Sequence, residues 1–146
     1  MRVYLDLCCL KRPFDDQSQP RVHLESEAVL TVLSASNPQF EFVHAPAHDL
    51  ENKYNPLPRR AARVQNWLDA QPMPELSEQT LAVRTSELIQ LGFRNFDALH
   101  VASAEDAHAE VFVTCDDRLL AVAARHQAAL HVRVLDLLAF AREVVP

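Results

Sequence analysis

Short apolar runs bounded by polar residues predict four β-strands along the chain. Residues 3–5 (VYL) and 111–113 (VFV) are uninterrupted apolar triplets, which is typical of strands buried in a parallel sheet. Residues 40–43 (FEFV) alternate apolar and polar side chains, and residues 132–134 (VRV) repeat this alternation. We therefore expect a small sheet in which the first strand lies centrally.

Apolar residues spaced three and four positions apart predict helices between these strands. Asn37 and Pro38 suit the end of the first helix, and Pro46 suits the first turn of the second. Gly92 suits the position just after a helix, and Asn95 suits the N-cap of the next one. The predicted helices cover residues 21–36, 46–54, 59–70, 77–91, 96–107, 117–126 and 135–144.

The order of strands and helices predicts the fold class. Alternation of the two is typical of a mainly parallel sheet with right-handed crossovers and helices on both faces. We predict a three-layer α/β/α fold with a central sheet of four to five strands. No repeat, low-complexity tract or linker interrupts the sequence, so residues 1–146 are predicted to form a single domain.

Composition narrows the class of protein. The hydrophobic share of 49% predicts a folded core, and three cysteines, including the adjacent Cys8 and Cys9, favour a reducing cytoplasm over a disulfide framework. Arg2 is followed by only three apolar residues before Asp6, so we expect no signal peptide. No apolar run approaches the roughly 20 residues that span a membrane.

Two further counts exclude particular nucleotide and nucleic-acid sites. The single glycine, Gly92, excludes a P-loop and a glycine-rich dinucleotide turn, because both need several glycines near phosphate. The net charge of -6 argues against a general nucleic-acid coat. It does not exclude a nuclease, because acidic groups at a metal site lower the total charge without removing local basic patches.

Four carboxylates stand where an apolar segment ends or a helix begins: Asp6, Glu51, Asp97 and Asp116. Ligands gather beyond the carboxyl ends of the strands of a parallel sheet, so we expect all four to face one cleft. Carboxylates brought this close repel one another, and hard cations such as Mg²⁺ or Mn²⁺ relieve the repulsion. The pattern therefore predicts a metal-dependent nuclease.

Each of these carboxylates also has a simpler interpretation. Asp116 would cap a helix, and Asp97 would complement the dipole of the helix it begins. Glu51 would be solvated. Asp6 is the hardest to explain in this way, because a carboxylate directly after a buried strand must be ligated, paired or hydrogen-bonded.

Together the motifs resemble the PIN domain family, the fold of many prokaryotic VapC-type toxin nucleases. The resemblance covers essentially the full chain. Its motifs are VYLD at residues 3–6 with Leu10 after it, Glu51, FDALHVASA at residues 96–104 and VTCDDRLL at residues 113–120. Each motif alone is a moderate signal, and their order makes the combined signal strong.

The resemblance implies a three-layer PIN-like fold and an Mg²⁺- or Mn²⁺-dependent endoribonuclease. The family's acidic quartet maps onto Asp6, Glu51, Asp97 and Asp116. These groups would hold one or two ions, and a bound ion lowers the pKa of water for attack on the phosphodiester. Glu51 would ligate metal or deprotonate that water.

Residues beside the quartet qualify this expectation. Thr114 is placed to hydrogen-bond a carboxylate or a water, and Asp117 would replace or assist Asp116. The family usually has threonine and then asparagine or serine after its first aspartate, but this chain has Leu7 and Cys8. Because a thiol is a weak hydrogen-bonding group, slower catalysis or looser metal binding is expected.

Basic residues near the predicted cleft are candidates for RNA binding, because arginine grips phosphate with a bidentate fork. The alternative for those on a helix is a solvated face. Those near the predicted acids are Lys11, Arg12 and Arg94. Those on a single predicted helix are Arg59, Arg60 and Arg63.

Two rival functions remain open. His44, His48 and Glu51 are spaced for a zinc site on one helical face, which would suggest a zinc-dependent hydrolase, although Pro46 stands between the histidines. A non-catalytic PIN-like binding module is the other rival, and the presence of Leu7 and Cys8 after the first aspartate is the feature that favours it.

The resemblance also implies partners. A VapC-type toxin would be bound and masked by a small antitoxin protein, and members of the family commonly form homodimers. No residue of this chain identifies such a partner, so both expectations rest on the resemblance alone.

Overall fold

The first strand, β1 (Arg2–Leu5), lies between two others in the sheet. The computed structural model describes residues 1–35 and 39–145, and its strands pair in the order β2-β1-β3-β4. The other strands are β2 (Glu41–Phe42), β3 (Val111–Thr114) and β4 (Arg133–Asp136). All three neighbouring pairs are parallel, so the carboxyl ends of the strands lie at one edge of the sheet.

Helices connect the strands and flank them. In the described part of the chain there are two short 3₁₀ helices, at Arg12–Phe14 and Gln127–Ala129. The α-helices are α1 (Leu7–Lys11), α2 (Pro20–Ser34), α3 (Pro46–Asn52), α4 (Pro58–Asp69), α5 (Glu78–Leu91), α6 (Asn95–Asp106), α7 (Asp117–Arg125) and α8 (Leu137–Val144).

Alternate side chains of the central strands enter two separate cores. Tyr4 and Phe112 are paired across β1 and β3 and stack with ring centroids 5.3 Å apart, in a core shared with α5, α6 and α7. Val3 and Leu5 enter the opposite core, which α1, α2, α4 and α8 cover. Helices thus cover both faces, and the predicted three-layer α/β/α fold with a parallel four-stranded sheet is confirmed.

Turn chemistry explains several helix ends. Gly92 has a φ of 118°, a left-handed conformation that side chains disfavour, and its predicted place after α5 is confirmed. Ser77 caps the start of that helix, because its hydroxyl accepts a hydrogen bond from Thr80 N at 3.2 Å. The predicted helix end at Asn37 and Pro38 lies outside the described residues, and α2 ends at Ser34.

Two helix starts differ from prediction. Asn95 does not cap α6 but is its first residue, because the carbonyl of Arg94 already accepts the hydrogen bond from Ala98 N at 2.8 Å. Leu135, predicted to begin the last helix, belongs to β4. Asp136 caps that helix instead, accepting a 2.8 Å hydrogen bond from the backbone N–H of residue 139.

No helix in the described ranges is long and apolar enough to cross a membrane.

Candidate acidic site at the carboxyl edge of the sheet

Asp6 is a buried carboxylate at the point where β1 ends. Its backbone N–H still bonds Val113 O of the neighbouring strand at 2.9 Å, and its side chain is 6% exposed. Oδ1 accepts a 2.8 Å hydrogen bond from Leu7 N and so caps α1, while Oδ2 accepts a 2.7 Å bond from the Thr114 hydroxyl. Burial raises the pKa of Asp6 well above its ordinary value, with the nearby Cys8 thiol adding to the effect.

Thr114 joins the two central strand ends. Besides donating to Asp6, its hydroxyl accepts a 3.1 Å hydrogen bond from the backbone N–H of Asp116. Thr114 is fully buried at the end of β3, so its position is fixed by the sheet. The Thr114 hydroxyl therefore orients the side chain of Asp6 and the backbone of Asp116, the two aspartates that follow the central strands.

Glu51 comes to the same edge from the last turn of α3. His100 Nε2 lies 2.9 Å from Glu51 Oε2, and His100 Nδ1 lies 2.6 Å from the Tyr4 hydroxyl. Burial raises the pKa of Glu51, but the hydrogen bond and charge of His100 outweigh it, and Lys11 assists, so the net pKa is lowered. Glu51 is therefore ionised at neutral pH.

His100 was not predicted as a site residue, yet it is fully buried on α6 against the acids. Burial lowers the pKa of its imidazole, but the hydrogen bond to Glu51 and the charges of Asp6 and Asp97 reverse this, and the net pKa is raised. Its spacing of three residues from Asp97, one helical turn, was the available signal. A buried histidine packed for stability has the same spacing, so the sequence did not separate the two roles.

Asp97 lies in the first turn of α6 and is half-buried. Burial is the largest cause that raises its pKa, and the negative charge of Asp116 adds to it. Glu51 raises it further, whereas His100 and Arg94 act in the opposite direction. These effects place Asp97 within electrostatic reach of Asp116 and Glu51.

Asp116 is the N-cap of α7, as its simpler interpretation required. Its Oδ1 accepts hydrogen bonds from Arg118 N at 2.9 Å and Leu119 N at 3.2 Å. Because both bonds use Oδ1, capping does not consume Oδ2. Asp117, the predicted substitute, is exposed, and Arg21 holds both of its oxygens at 2.7 Å.

Potential ligand atoms of Asp6, Glu51 and His100 meet at this edge. One ligand atom from each lies within 4.8 Å of those of the other two. Asp97 and Asp116 are not members of that 4.8 Å group. The charges of Glu51 and His100 act on Asp97, and so does the charge of Asp116. The oxygen-rich donor set, with one carboxylate kept buried, fits a hard divalent cation of the Mg²⁺ or Mn²⁺ class.

Comparison with known proteins gives matches among solved structures alone. No protein-family model matches the sequence, and no curated protein matches it. A chain of VapBC2 from Rickettsia felis, solved bound to a DNA fragment from its promoter, matches with a TM-score of 0.54 at 14% identity, covering 93% of this chain and 98% of that chain. A chain of VapBC-1 from nontypeable Haemophilus influenzae matches with a TM-score of 0.58 at 12% identity, covering 94% and 99%. This chain has a PIN-like fold.

The resemblance drawn from the sequence motifs is thus confirmed for the fold. Structural matches at 12% and 14% sequence identity support a PIN-like fold and do not support any particular activity.

Cys8 occupies the position where this PIN-like fold departs from the expected motif. Its thiol lies 3.4 Å from both Asp6 Oδ2 and Thr114 Oγ1. The hydrogen bond between Cys8 and Cys115 is the largest cause that raises the pKa of Cys8, to about 11, so the thiol keeps its proton. Cys8 therefore donates weakly to Asp6, and the stronger donor is Thr114.

The predicted RNA-binding residues separate into three groups. Lys11 and Arg94 lie within electrostatic reach of Glu51 and Asp97, respectively. Arg12 is held in ion pairs by Asp15 at 3.2 Å and Glu25 at 3.0 Å, and Arg60 reaches Asp15 at 3.3 Å. Arg59 and Arg63 are exposed on α4.

The residues predicted for a zinc site do not converge in the PIN-like fold. Both ring nitrogens of His48 are engaged by backbone, with Nδ1 accepting from Ala45 N at 3.1 Å and Nε2 donating to Leu5 O at 2.8 Å. His44 Nε2 pairs with Asp49 at 2.6 Å, away from Glu51. The spacing that suggested zinc serves helix capping and strand attachment instead.

Proposed function

We propose that this chain is a divalent-metal-dependent endoribonuclease that hydrolyses RNA phosphodiesters, and that it acts in the cytoplasm as the toxin of a toxin–antitoxin pair. The observation that carries the proposal is the buried Asp6 carboxylate, gathered within 4.8 Å of Glu51 and His100. Burying a carboxylate among other acids costs free energy, and a cation at that place offsets the cost. A site of this kind is suited to charged substrates such as phosphodiesters.

Asp6, Asp97 and Asp116 would hold Mg²⁺ or Mn²⁺ through their carboxylate oxygens. When bound, such an ion lowers the pKa of water and offsets negative charge on the phosphate oxygens. Thr114 keeps Asp6 Oδ2 in a fixed orientation through its 2.7 Å hydrogen bond. This support limits the motion of the first acid and so favours binding.

Glu51 would take the proton from the attacking water or ligate the ion. It is ionised at neutral pH and is therefore able to accept a proton. His100 orients the carboxylate and is itself held by the Tyr4 hydroxyl at 2.6 Å.

Lys11 and Arg94 would bind the RNA backbone, because Lys11 lies within electrostatic reach of Glu51 and Arg94 within reach of Asp97. Arg12 and Arg60 would need to break ion pairs first, so their contribution to RNA binding would be smaller. Arg59 and Arg63 would contact longer RNA along α4.

The proposed partners follow from the structural neighbours, which are chains of VapBC complexes. We expect a short protein encoded beside this chain to bind it and block RNA cleavage, and we expect the chain to form a homodimer. Co-expression with that neighbour, followed by light scattering on the purified species, measures both expectations.

RNA cleavage by the purified full-length chain tests the proposed activity. We expect cleavage of single-stranded RNA with Mn²⁺ or Mg²⁺, none with EDTA, and at least a hundredfold loss in Asp6→Asn and Asp97→Asn. Glu87→Gln, a change at an exposed acid of α5, is the matched control and is expected to cleave like the wild type.

Cleavage that survives EDTA or is unchanged in Asp6→Asn would contradict the proposal. RNA binding with no cleavage under any divalent ion would favour the binding module instead. Circular dichroism of each variant separates loss of activity from loss of fold.

A further inference from the structure

Three cysteines from distant parts of the chain meet beside the acidic site. Cys8 and Cys9 belong to the first turn of α1, and Cys115 follows β3. Their sulfur atoms all lie within 4.8 Å of one another, and the Sγ atoms of Cys9 and Cys115 are 3.7 Å apart. All three thiols are free, and the proposed hydrolysis does not use them as ligands.

The spacing of these sulfurs matches that around a thiolate-bound metal. Zn–S bonds of about 2.3 Å at tetrahedral angles place two sulfurs about 3.8 Å apart. The observed 3.7 Å between Cys9 and Cys115 has this value, and the third sulfur is near enough to complete a triangle. A disulfide needs only two thiols and a sulfur separation near 2 Å, so the third thiol has no role in it.

We propose that Cys8, Cys9 and Cys115 form a second cation site, selective for a thiophilic ion of the Zn²⁺ or Cd²⁺ class. The site differs from the acidic one in ligand chemistry, because soft sulfur ligands select these ions and carboxylates select Mg²⁺ or Mn²⁺. The inference does not depend on nuclease activity.

Burial and hydrogen bonding keep the site in place. Cys9 is fully buried and Cys115 is 5% exposed, whereas Cys8 is half-buried and provides the route for an ion and for a fourth ligand. The backbone N–H of Cys115 donates to Cys8 Sγ at 3.2 Å, which fixes one sulfur on the end of β3. The cluster is therefore organised before an ion arrives.

Binding is a proton-for-metal exchange. One divalent ion forms three metal–sulfur bonds, each thiol that is still protonated loses its proton to the buffer, and no oxidant or reductant takes part. One of these protons is the one that Cys8 shares with Asp6 Oδ2 over 3.4 Å. Occupation of the thiol site therefore removes a hydrogen bond from the acidic site.

Titration of the reduced, metal-free full-length chain with Co²⁺ or Cd²⁺ in excess Mg²⁺ tests the site. Sulfur-to-metal charge-transfer absorption should saturate at one ion per chain, with an intensity that corresponds to three thiolates. Cys8→Ser, the mildest substitution because Cys8 is half-buried, should lower the intensity by about a third and weaken binding at least tenfold. Cys9→Ser and Cys115→Ser should show the same loss.

Asp97→Asn and Glu87→Gln are the matched controls, and both should keep the charge-transfer band. A band that is lost in Asp97→Asn and kept in the cysteine variants would overturn the proposal, because the ion would then bind carboxylates. An absence of sulfur-to-metal absorption in the folded wild type would overturn it as well.

Counting free thiols distinguishes the metal site from a disulfide. The metal-free chain should react with a thiol-specific dye at three positions after denaturation, and it should keep three after exposure to air. A fall to one thiol that a reductant reverses would assign the cluster to a disulfide and overturn the metal site. These results are independent of the RNA-cleavage test, so failure of either proposal is recognisable separately.

Discussion

His100 and Glu51 form a contact that ties a buried core residue to the acidic site. His100 Nε2 lies 2.9 Å from Glu51 Oε2, and the opposite ring nitrogen contacts the Tyr4 hydroxyl. The Tyr4 ring in turn stacks with His48 and with Phe112, at centroid distances of 4.4 and 5.3 Å. The orientation of Glu51 is thus set by the core.

Replacing His100 by glutamine should loosen the acidic site without removing a ligand from the proposed quartet. We expect Mn²⁺ affinity or cleavage rate to fall about 10–100-fold, the usual effect of removing a partner that orients a metal ligand. Tyr4→Phe, which keeps the ring stack, should give a smaller loss in the same direction.

Calorimetric titration of Mn²⁺ into each folded variant measures this effect, with His23→Gln, at an exposed histidine of α2, as the control. Wild-type affinity in a folded His100→Gln protein would show that Glu51 does not need its partner.

Asp6 should destabilise the metal-free protein at neutral pH. Burial raises its pKa in the folded state above the unfolded value of 3.8, so folded Asp6 binds its proton more tightly. Its contribution to stability is therefore full at low pH and is lost as pH rises through the raised pKa. Asp6→Asn should raise the unfolding free energy of the metal-free protein by about 0.5–2 kcal/mol, the usual range of stabilising changes.

Urea unfolding with EDTA and with Mn²⁺ measures this prediction. Mn²⁺ at a hundredfold excess over its dissociation constant should add about 2.7 kcal/mol to the wild type and little to Asp6→Asn. An Asp6→Asn protein that is less stable than the wild type in EDTA would mean that helix capping by the charged carboxylate outweighs its burial.

Lys11 and Arg94 should account for most of the ionic part of RNA binding. Replacing either by methionine should weaken binding of a non-cleaved RNA and reduce the slope of log K against log salt by about 0.7 per lost phosphate contact. Arg63→Met, on α4, is the matched comparison and should change the slope less. An equal or larger effect of Arg63→Met would place the RNA on α4 and away from the acids.

His48 should make the fold acid-sensitive. The pKa of His48 is lowered to about 3 in the folded protein, and burial is the largest cause of this shift. In the unfolded chain the pKa has its ordinary value of 6.5. The unfolded state therefore takes up a proton that the folded state refuses, and stability falls as pH drops from 6.5 towards 3. The expected slope from this residue is about 1.4 kcal/mol per pH unit.

Urea unfolding at pH 7, 6 and 5 gives the slope, and an NMR titration of the His48 ring gives its pKa directly. A His48 resonance that titrates near 6.5 in the folded protein would refute the prediction. The control is His23→Gln, which should keep the wild-type slope.

The elements that depend on local sequence pattern were predictable. The apolar triplets of β1 and β3 placed Asp6 and Asp116 at strand ends, and parallel topology then brought those ends together. The helix end at Gly92 was also predictable from the sequence, because few residues other than glycine adopt a φ of 118°. Asn95 was misplaced by one residue because asparagine suits both a cap and a first turn.

Contacts between distant segments were beyond prediction. Arg12 fits an RNA-binding role in the sequence, and its pairing with Glu25 follows only from how α2 packs beside the 3₁₀ turn. Adjacent cysteines likewise give no hint that Cys115 will lie 3.7 Å from Cys9. Both contacts depend on side-chain placement across elements, which periodicity does not encode.

The position of β1 inside the sheet has a consequence for synthesis. β1 leaves the ribosome before its inner neighbour β3, which starts at Val111, so Asp6 and the buried side of β1 have no partner strand on that side until β3 emerges. A nascent chain that has emerged only through α6 holds Asp6, Glu51 and Asp97 without the strand that aligns them. A nuclease organised in this way would be inert towards the ribosome that translates it until β3 has cleared the exit tunnel.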